Sequence, residues 1–592
     1  MIVLKMSGSS FLESLRANMR KELIPVRSRV YGSENFTMIN YSILRDAIEA
    51  AGVRDVTPII KELVGSSTEA DRAVGALVCQ VVGDSVGHPL EFIPATSDLP
   101  PYKQRASGRE SFLHPELDPS TGQVAYTYCL NQFRLKPGQW TDDASMALCV
   151  ADSLLVCGTY IGGDCRSRFH NWWNHGYNNA FRYDTMRPHK NSVGLGGNIS
   201  KSIDDLLPYD GKGGKDIPAV FRPDGEDAGN GSIMRLSPIP IRFSFNETLG
   251  MDVSELHSYG THPGPDAAQC CRFITFFVTR AIHREKHAGY AGKTSMRDFV
   301  DTVVTEYLTA CKVTEKMRAV LTSQPPSRKE ACWNWKAERL EIEETLAARG
   351  TKYNGHPVSA GYFGAYCMDG LAMALWSLYR ATSATECLVR VVNLCGDADT
   401  TGAITGQMLG AFYGYTGLAS DPMGQRMIAN MRQWDPLGEI EIRAVMSYED
   451  GQRAGPTETN QSHYVSPPVV AGSDDLGGFS VDPLEECPHC PRIRPCAESH
   501  DLQRTVNAPC TDCGSAGENM LCLMCETVRC GRHVQGHMKK HAESSTHPMT
   551  MGFADLSIWC YPCDNYVSSY NRFVFPWYAA AHVAKFGCAP GK

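Results

Sequence analysis

The sequence predicts a multidomain chain, a large all-helical domain followed by a small metal-held one, and three observations carry that prediction. At 592 residues the chain is too long for one ordinary domain. From Asp71 to about Tyr448 it is rich in alanine and glycine, with long helical periodicities such as CRFITFFVTRAI and MDGLAMALWSLYRA and sparse strand signals. Eleven of its 23 cysteines fall after residue 486, in closely spaced pairs.

Taken in order, residues 1–68 hold short amphipathic patterns such as SILRDAIEAA and form an N-terminal helical extension. Residues 69–448 make up the large helical domain. Residues 449–480, polar and rich in Gly, Pro and Ser without periodicity, are a linker. Residues 481–592 are the cysteine-rich domain.

Within the helical domain, CGDADTTGAITGQMLGAFYG places Gly402, Gly406, Gly410 and Gly414 four apart on one helical face. Each glycine inside a helix costs about 1 kcal/mol against alanine, so the stripe must permit something only glycine allows, the close approach of another backbone or a ligand. Two acids stand at the entrance to this helix. Asp399 and Thr400 can cap free backbone N–H groups, which accounts for one acid but not for the pair Asp397 and Asp399. A similar acidic turn lies upstream in QWTDDASMAL, where Thr141 suits an N-cap and Asp142 and Asp143 suit the positive end of a helix dipole. Together the two turns supply six oxygen-bearing side chains of the kind that Mg²⁺ or Mn²⁺ prefers, and a metal site remains open beside simple capping.

Composition narrows the function classes. The net charge is −8 and the pI about 6.1, so no global basic field points to nucleic acid. No apolar run reaches bilayer length and MIVLKMSGSS is too short for a signal-peptide core, so the expectation is a soluble protein of the cytoplasm or nucleus. The twelve cysteines before residue 486 read as reduced, mostly buried thiols.

Six pieces in order resemble the ADP-ribosylglycohydrolase family over about residues 70–448: GALVCQVVGDSVGHPLEF, TDD at 141, GLGGNISKSI, GNGSIMRLSPI, THPGPDAA and GDADTTGA. The resemblance implies two Mg²⁺ or Mn²⁺ ions held by Thr141, Asp142, Asp143, Asp397, Asp399 and Thr400 against the ribose diol. It implies Glu91 as the acid that helps activate water and Asp84 as a residue positioning metal-bound water. It also implies a pyrophosphate and ribose pocket lined by His262 and the backbone around Asn230, Gly231 and Ser232. Such a site suits glycosidic cleavage, because positive charge builds on the sugar and a fixed diol with a positioned water lowers the barrier. Many family members have threonine where this chain has Ala398, a position not expected to ligate.

In the last domain twelve Cys and His residues stand at ligand spacings, enough for three tetrahedral Zn²⁺ sites. CGRHVQGHMKKH, HPM and DLSIWCYPCDNYV resemble the UBP-type zinc finger, a small α+β module found in some deubiquitinases and a cytoplasmic deacetylase. The resemblance implies three ligand sets: Cys487, His489, Cys560 and Cys563; Cys510, Cys513, Cys530 and His537; and Cys522, Cys525, His541 and His547. Cys490 and Cys496 are left out. It further implies a slot for the free Gly-Gly tail of ubiquitin, with Arg532 near the tail and Trp559, Tyr561 and Tyr566 as walls. Met520 and His533 stand where that family carries aromatics.

The expected function is a metal-dependent hydrolase that removes ADP-ribose from proteins, with ubiquitin or ubiquitin-associated proteins as candidate substrates, joined to a reader of free ubiquitin. A protein that holds ADP-ribose without cleaving it, and a ubiquitin adaptor on a helical scaffold, stand as alternatives.

Overall fold

The computed structural model describes residues 7–27, 42–53, 55–97, 112–222, 228–290, 295–354, 356–358, 361–456, 484, 487–496, 502–505, 508–515, 519–531, 534–553, 556–563, 565–569 and 571–586. The chain divides into two compact units, residues 1–470 and 471–592.

The first unit is built around two helices, Thr68–Gly87 and Ala398–Leu418, packed along their lengths. Ser67 starts the first by accepting from the Ala70 amide at 3.0 Å. Both are buried almost all round, as core helices are. They meet through glycine: a Cβ on Gly83 would strike the backbone of Gly402, one on Gly406 the backbone of Cys79, and one on Gly410 the backbone of Gly75. The expected stripe is therefore a backbone-to-backbone helix contact for three of its four members. Gly414 does something else. Its φ of 78° and ψ of 171° break the helix, and the Asp71 carboxylate accepts from the Thr416 amide at 2.9 Å and its hydroxyl at 2.7 Å just beyond the break.

Helices Asp142–Cys157, Pro265–Ile282, Cys367–Arg380, Ala384–Val392 and Glu439–Ala454 surround this pair. Glu439–Ala454 runs through residues 449–454, so the helical unit extends past the expected boundary at 448. The N-terminal helices Gly8–Asn18, Arg45–Ala50 and Thr57–Val64 send Phe11, Leu15, Ile48 and Leu63 into the same hydrophobic core. No described helix is long and apolar enough to cross a membrane.

The second unit holds a five-stranded antiparallel sheet in the spatial order Val528–Cys530, Asn519–Cys522, Met549–Gly552, Ile558–Cys560, Asn565–Val567. Alternation puts Leu521, Met549, Met551, Ile558 and Val567 into its own core with Trp577 from the helix Phe575–Phe586. Register puts Met520, Thr550, Trp559 and Tyr566 on the opposite face.

Candidate active site and Cys/His clusters

The glycine contact brings the ends of the two central helices together, and with them the acids. Asp84, Asp143 and Asp399 each offer an oxygen within 4.8 Å of the others, and so do Glu91, Asp397 and Asp399. Asp399 belongs to both triads. The Thr141 hydroxyl reaches Asp84 at 2.9 Å, Asp143 at 3.1 Å and Asp399 at 3.4 Å. The Thr400 hydroxyl hydrogen-bonds Asp143 and Asp397.

Capping is distributed differently from the sequence expectation. Thr141 occupies the N-cap position of Asp142–Cys157, yet its side chain does not cap. The Asp84 carboxylate does, accepting from the Thr141 amide at 2.9 Å and the Ala144 amide at 3.0 Å. Asp142 lies outside the two triads, with its carboxylate against the turn at Gly194.

All six acids are buried, and burial is the first cause that raises their pKa values. Asp84 is pushed up to about 7, with the Asp399 charge adding to burial. Glu91, Asp142, Asp143 and Asp399 are driven well above the ordinary carboxylate range by burial and then by each other's charges. Asp397 rises less, because Asn230 donates to it at 2.6 Å and the Tyr362 hydroxyl also donates. Asp143 Oδ1 and Glu91 Oε2 are buried without a hydrogen-bond partner. An all-oxygen set with mutually repelling charges and unpartnered acceptors fits hard divalent cations.

A cavity of about 520 Å³ opens beside the acids, lined by Gly229, Tyr362, Gly364 and Tyr366 among others. The expected pocket residues stand at its edge. The His262 ring packs against the Gly229–Gly231 turn so closely that a Cβ on Gly231 would meet its Cε1 at 2.6 Å. The Ser232 hydroxyl instead pairs with Ser258 at 2.9 Å in the interior.

In the second unit the three expected quartets assemble, each with its ligand atoms within 4.8 Å of one another. His489 Nδ1 lies 3.4 Å from Cys560 Sγ and 3.3 Å from Cys563 Sγ. His537 Nδ1 lies 3.5 Å from Cys510 and 3.3 Å from Cys530, and His541 Nε2 lies 3.2 Å from Cys525 and 3.1 Å from His547 Nδ1. The separations in the first two quartets fall within the about 3.3–3.8 Å edges of a tetrahedron at zinc distances, and those in the third are slightly shorter. Cys490 and Cys496 belong to none of the quartets. On the outer sheet face Trp559 and Tyr566 meet edge-on at 4.9 Å, and the Tyr561 hydroxyl lies 3.9 Å from Met520 Sδ. Arg532 and His533 lie outside the described residues.

Residues 65–452 match the model of the family described as ADP-ribosylglycohydrolase. The chain belongs to this family. Residues 510–572 match the Zn-finger in ubiquitin-hydrolases and other protein. The chain is 26% identical over 358 residues to the ADP-ribosylarginine hydrolase Tri1 of Serratia proteamaculans (strain 568), covering 60% of this chain and 75% of that protein. The chain is 42% identical over 114 residues to histone deacetylase 6 of Caenorhabditis elegans, covering 19% of this chain and 11% of that protein. It is 33% identical over 88 residues to ubiquitin carboxyl-terminal hydrolase 44 of Xenopus tropicalis, covering 15% of this chain and 13% of that protein.

In this member of the family the sequence reading missed three contributors. Tyr362, in GYFG, bonds Asp397 and lines the cavity. Arg235 and Thr261 form a buried support: Arg235 Nη2 donates to Thr261 Oγ1 at 2.7 Å, and Thr261 Oγ1 lies 2.8 Å from His262 Nδ1. Both lie inside motifs already singled out, GNGSIMRLSPI and THPGPDAA, but their direction toward the ring is set only by the fold.

Proposed function

We propose that the helical unit hydrolyses the glycosidic bond between ADP-ribose and a protein side chain, and that the side chain is arginine. The observation that carries this reading is the pair of buried carboxylate triads sharing Asp399, with Gly364 of the cavity lining packed against Asp397. The name of the Serratia protein supports the arginine linkage.

In this reading two Mg²⁺ or Mn²⁺ ions would be held by Asp143, Asp397, Asp399, Thr141 and Thr400, with Asp142 and Asp84 close by, and when bound would supply positive charge toward the ribose diol and a water. Asn230 and Tyr362 hold Asp397 in place by donating to it. His262 and the Gly229–Gly231 turn bind the nucleotide part. As the water oxygen bonds to C1 of the ribose, Glu91 takes a water proton; as the C1–N bond breaks, the guanidine nitrogen leaves with its electron pair and takes up that proton from Glu91.

In the same reading the three quartets hold Zn²⁺ and the finger receives the free Gly-Gly tail of ubiquitin between Trp559, Tyr561, Tyr566 and Arg532. One chain carrying both activities makes ubiquitin, or proteins associated with free ubiquitin ends, the favoured substrates. A modification away from the tail leaves the carboxylate free for capture. Presence in the cytoplasm or nucleus belongs to this proposal.

The test is to incubate the full chain with ADP-ribosyl-arginine peptides in Mg²⁺. Release of ADP-ribose is expected, and Asp399→Asn, which removes one oxygen charge from both triads, should abolish it. Tight binding of ADP-ribose without turnover would favour a non-catalytic reader instead.

A further inference from the structure

Phe92 directly follows Glu91 and holds φ at 64°, a conformation that a residue with a Cβ rarely adopts. The turn is pinned on both sides. The Phe92 amide donates to Gly396 O at 3.1 Å, and the Gly396 amide donates to Ile93 O at 2.9 Å, next to Asp397. Phe92 is 39% exposed, a large apolar residue open to water next to Glu91. It stacks on Tyr362 with centroids 5.6 Å apart and planes at 16°, and Phe133 meets its edge at 6.0 Å. Tyr362 in turn lines the cavity and donates to Asp397. A strained non-glycine backbone, an exposed aromatic residue and a stack tied to a triad therefore coincide, and strain of this kind concentrates where function holds it in place.

We propose that Phe92, backed by Tyr362, is the leaving-group subsite and that its ring face selects a planar cation, the guanidinium of the modified arginine. This rests on the hydrolase reading above. The nucleotide takes the cavity on one side of Tyr362, so the group beyond the scissile bond emerges past Glu91, and the next residue of the chain is Phe92. Charge complementarity names the occupant. Six buried carboxyl groups crowd the site next to this ring, five of them in the two triads or accepting from the Thr141 amide, and no described Lys or Arg belongs to the cluster. A guanidinium gains from that acidic cluster and from the negative face of the ring, whereas a serine hydroxyl gains from neither.

The experiment uses the full chain, as wild type, Phe92→Leu and Phe92→Tyr, with arginine-linked and serine-linked ADP-ribosyl peptides. Leucine keeps apolar bulk and removes the ring face; tyrosine restores the face. Phe92→Leu should raise KM for the arginine-linked peptide about 3- to 30-fold with kcat within about twofold, as loss of a uniform binding contact does. Its arginine-over-serine ratio of kcat/KM should fall about as far, and Phe92→Tyr should recover most of it. The Kd of free ADP-ribose should stay within about twofold, which a general collapse of the site would not allow. Equal effects of Phe92→Leu on both peptides, or a matching loss of ADP-ribose binding, would overturn the assignment while leaving the hydrolase reading intact. A wild type that turns over neither peptide would overturn both.

Discussion

Placing a methyl group in the glycine contact at two depths separates what the contact does for the fold from what it does for the site. A Cβ on Gly402 would lie 2.4 Å from Gly83 O and one on Gly410 would lie 2.0 Å from Gly75 O, so each falls short of ordinary 3.4 Å contact by about 1.0–1.4 Å. Alanine returns about 1 kcal/mol of helix propensity at either position, while overpacking costs about 1–3 kcal/mol. The expected net loss is therefore similar for Gly402→Ala and Gly410→Ala, at most about 2 kcal/mol each. Their distances from the acids differ. Gly402 stands one turn beyond Asp399, whereas Gly410 stands eleven residues beyond it, about 16 Å along the helix. A displacement of about 1 Å at reacting groups costs on the order of 100-fold in rate. Gly402→Ala should therefore lose about 100-fold in kcat and Gly410→Ala only a few-fold. Urea unfolding followed at the helical signal, alongside initial rates on an arginine-linked peptide, measures both. Equal rate losses at equal stability would show that the helix shifts as a rigid rod, and unchanged stability in both variants would refute the close-contact argument itself.

Asp84, at about 7, has a folded pKa above its unfolded value of about 3.9, so without divalent ions its ionisation removes stability as pH rises from about 4 and does so fully above about 7. Asp84→Asn keeps an oxygen for the Thr141 and Ala144 amides and cannot ionise. Its Tm should gain on wild type between pH 5 and pH 8 in Mg²⁺-free buffer, and added Mg²⁺ should raise the wild-type Tm more; a Tm gap independent of pH would contradict this. In the finger, Trp559→Ala should weaken ubiquitin binding about 10- to 100-fold by calorimetry. Ubiquitin lacking its last two glycines should bind at background, and equal affinity for truncated and intact ubiquitin would exclude the tail slot.

The zinc-finger quartets were legible because a ligand spacing is a short-range property: Cys510 and Cys513, or Cys522 and Cys525, declare themselves within four residues. The acidic centre was legible as two turns, since each begins a helix with its acids in the first turn. What the chain does not write locally is who caps whom. Asp84 sits 57 residues before Thr141, on a different helix, and only the packing of that helix shows that its carboxylate takes the Ala144 amide that Thr141 was expected to cap. Gly414 was hidden for the opposite reason. Its four-residue spacing matches the stripe, and nothing in that spacing distinguishes a contact glycine from one whose φ of 78° ends the helix. Phe92 and Tyr362 meet as a stack across 270 positions of chain, so an aromatic after Glu91 carried no message until the turn at Gly396 was folded beside it.

The glycine stripe and the acids are parts of one arrangement. Asp84 rides on the helix Thr68–Gly87 and Asp399 on Ala398–Leu418, so the distance between their oxygens depends on how closely the two backbones approach. Gly87 marks the end of the contact nearest the acids, where a Cβ would fall 2.6 Å from the Asp399 Cα. A larger residue there would push apart the acids that share Asp399. Close approach in turn concentrates negative charge in a buried place, which raises every one of those carboxyl pKa values and disfavours the ionised state of the cluster. Divalent cations relieve that repulsion only if the oxygens remain close enough to share them. The packing that strains the site in the absence of metal is thus the packing that lets it hold metal, and metal affinity should fall when the helix contact is loosened.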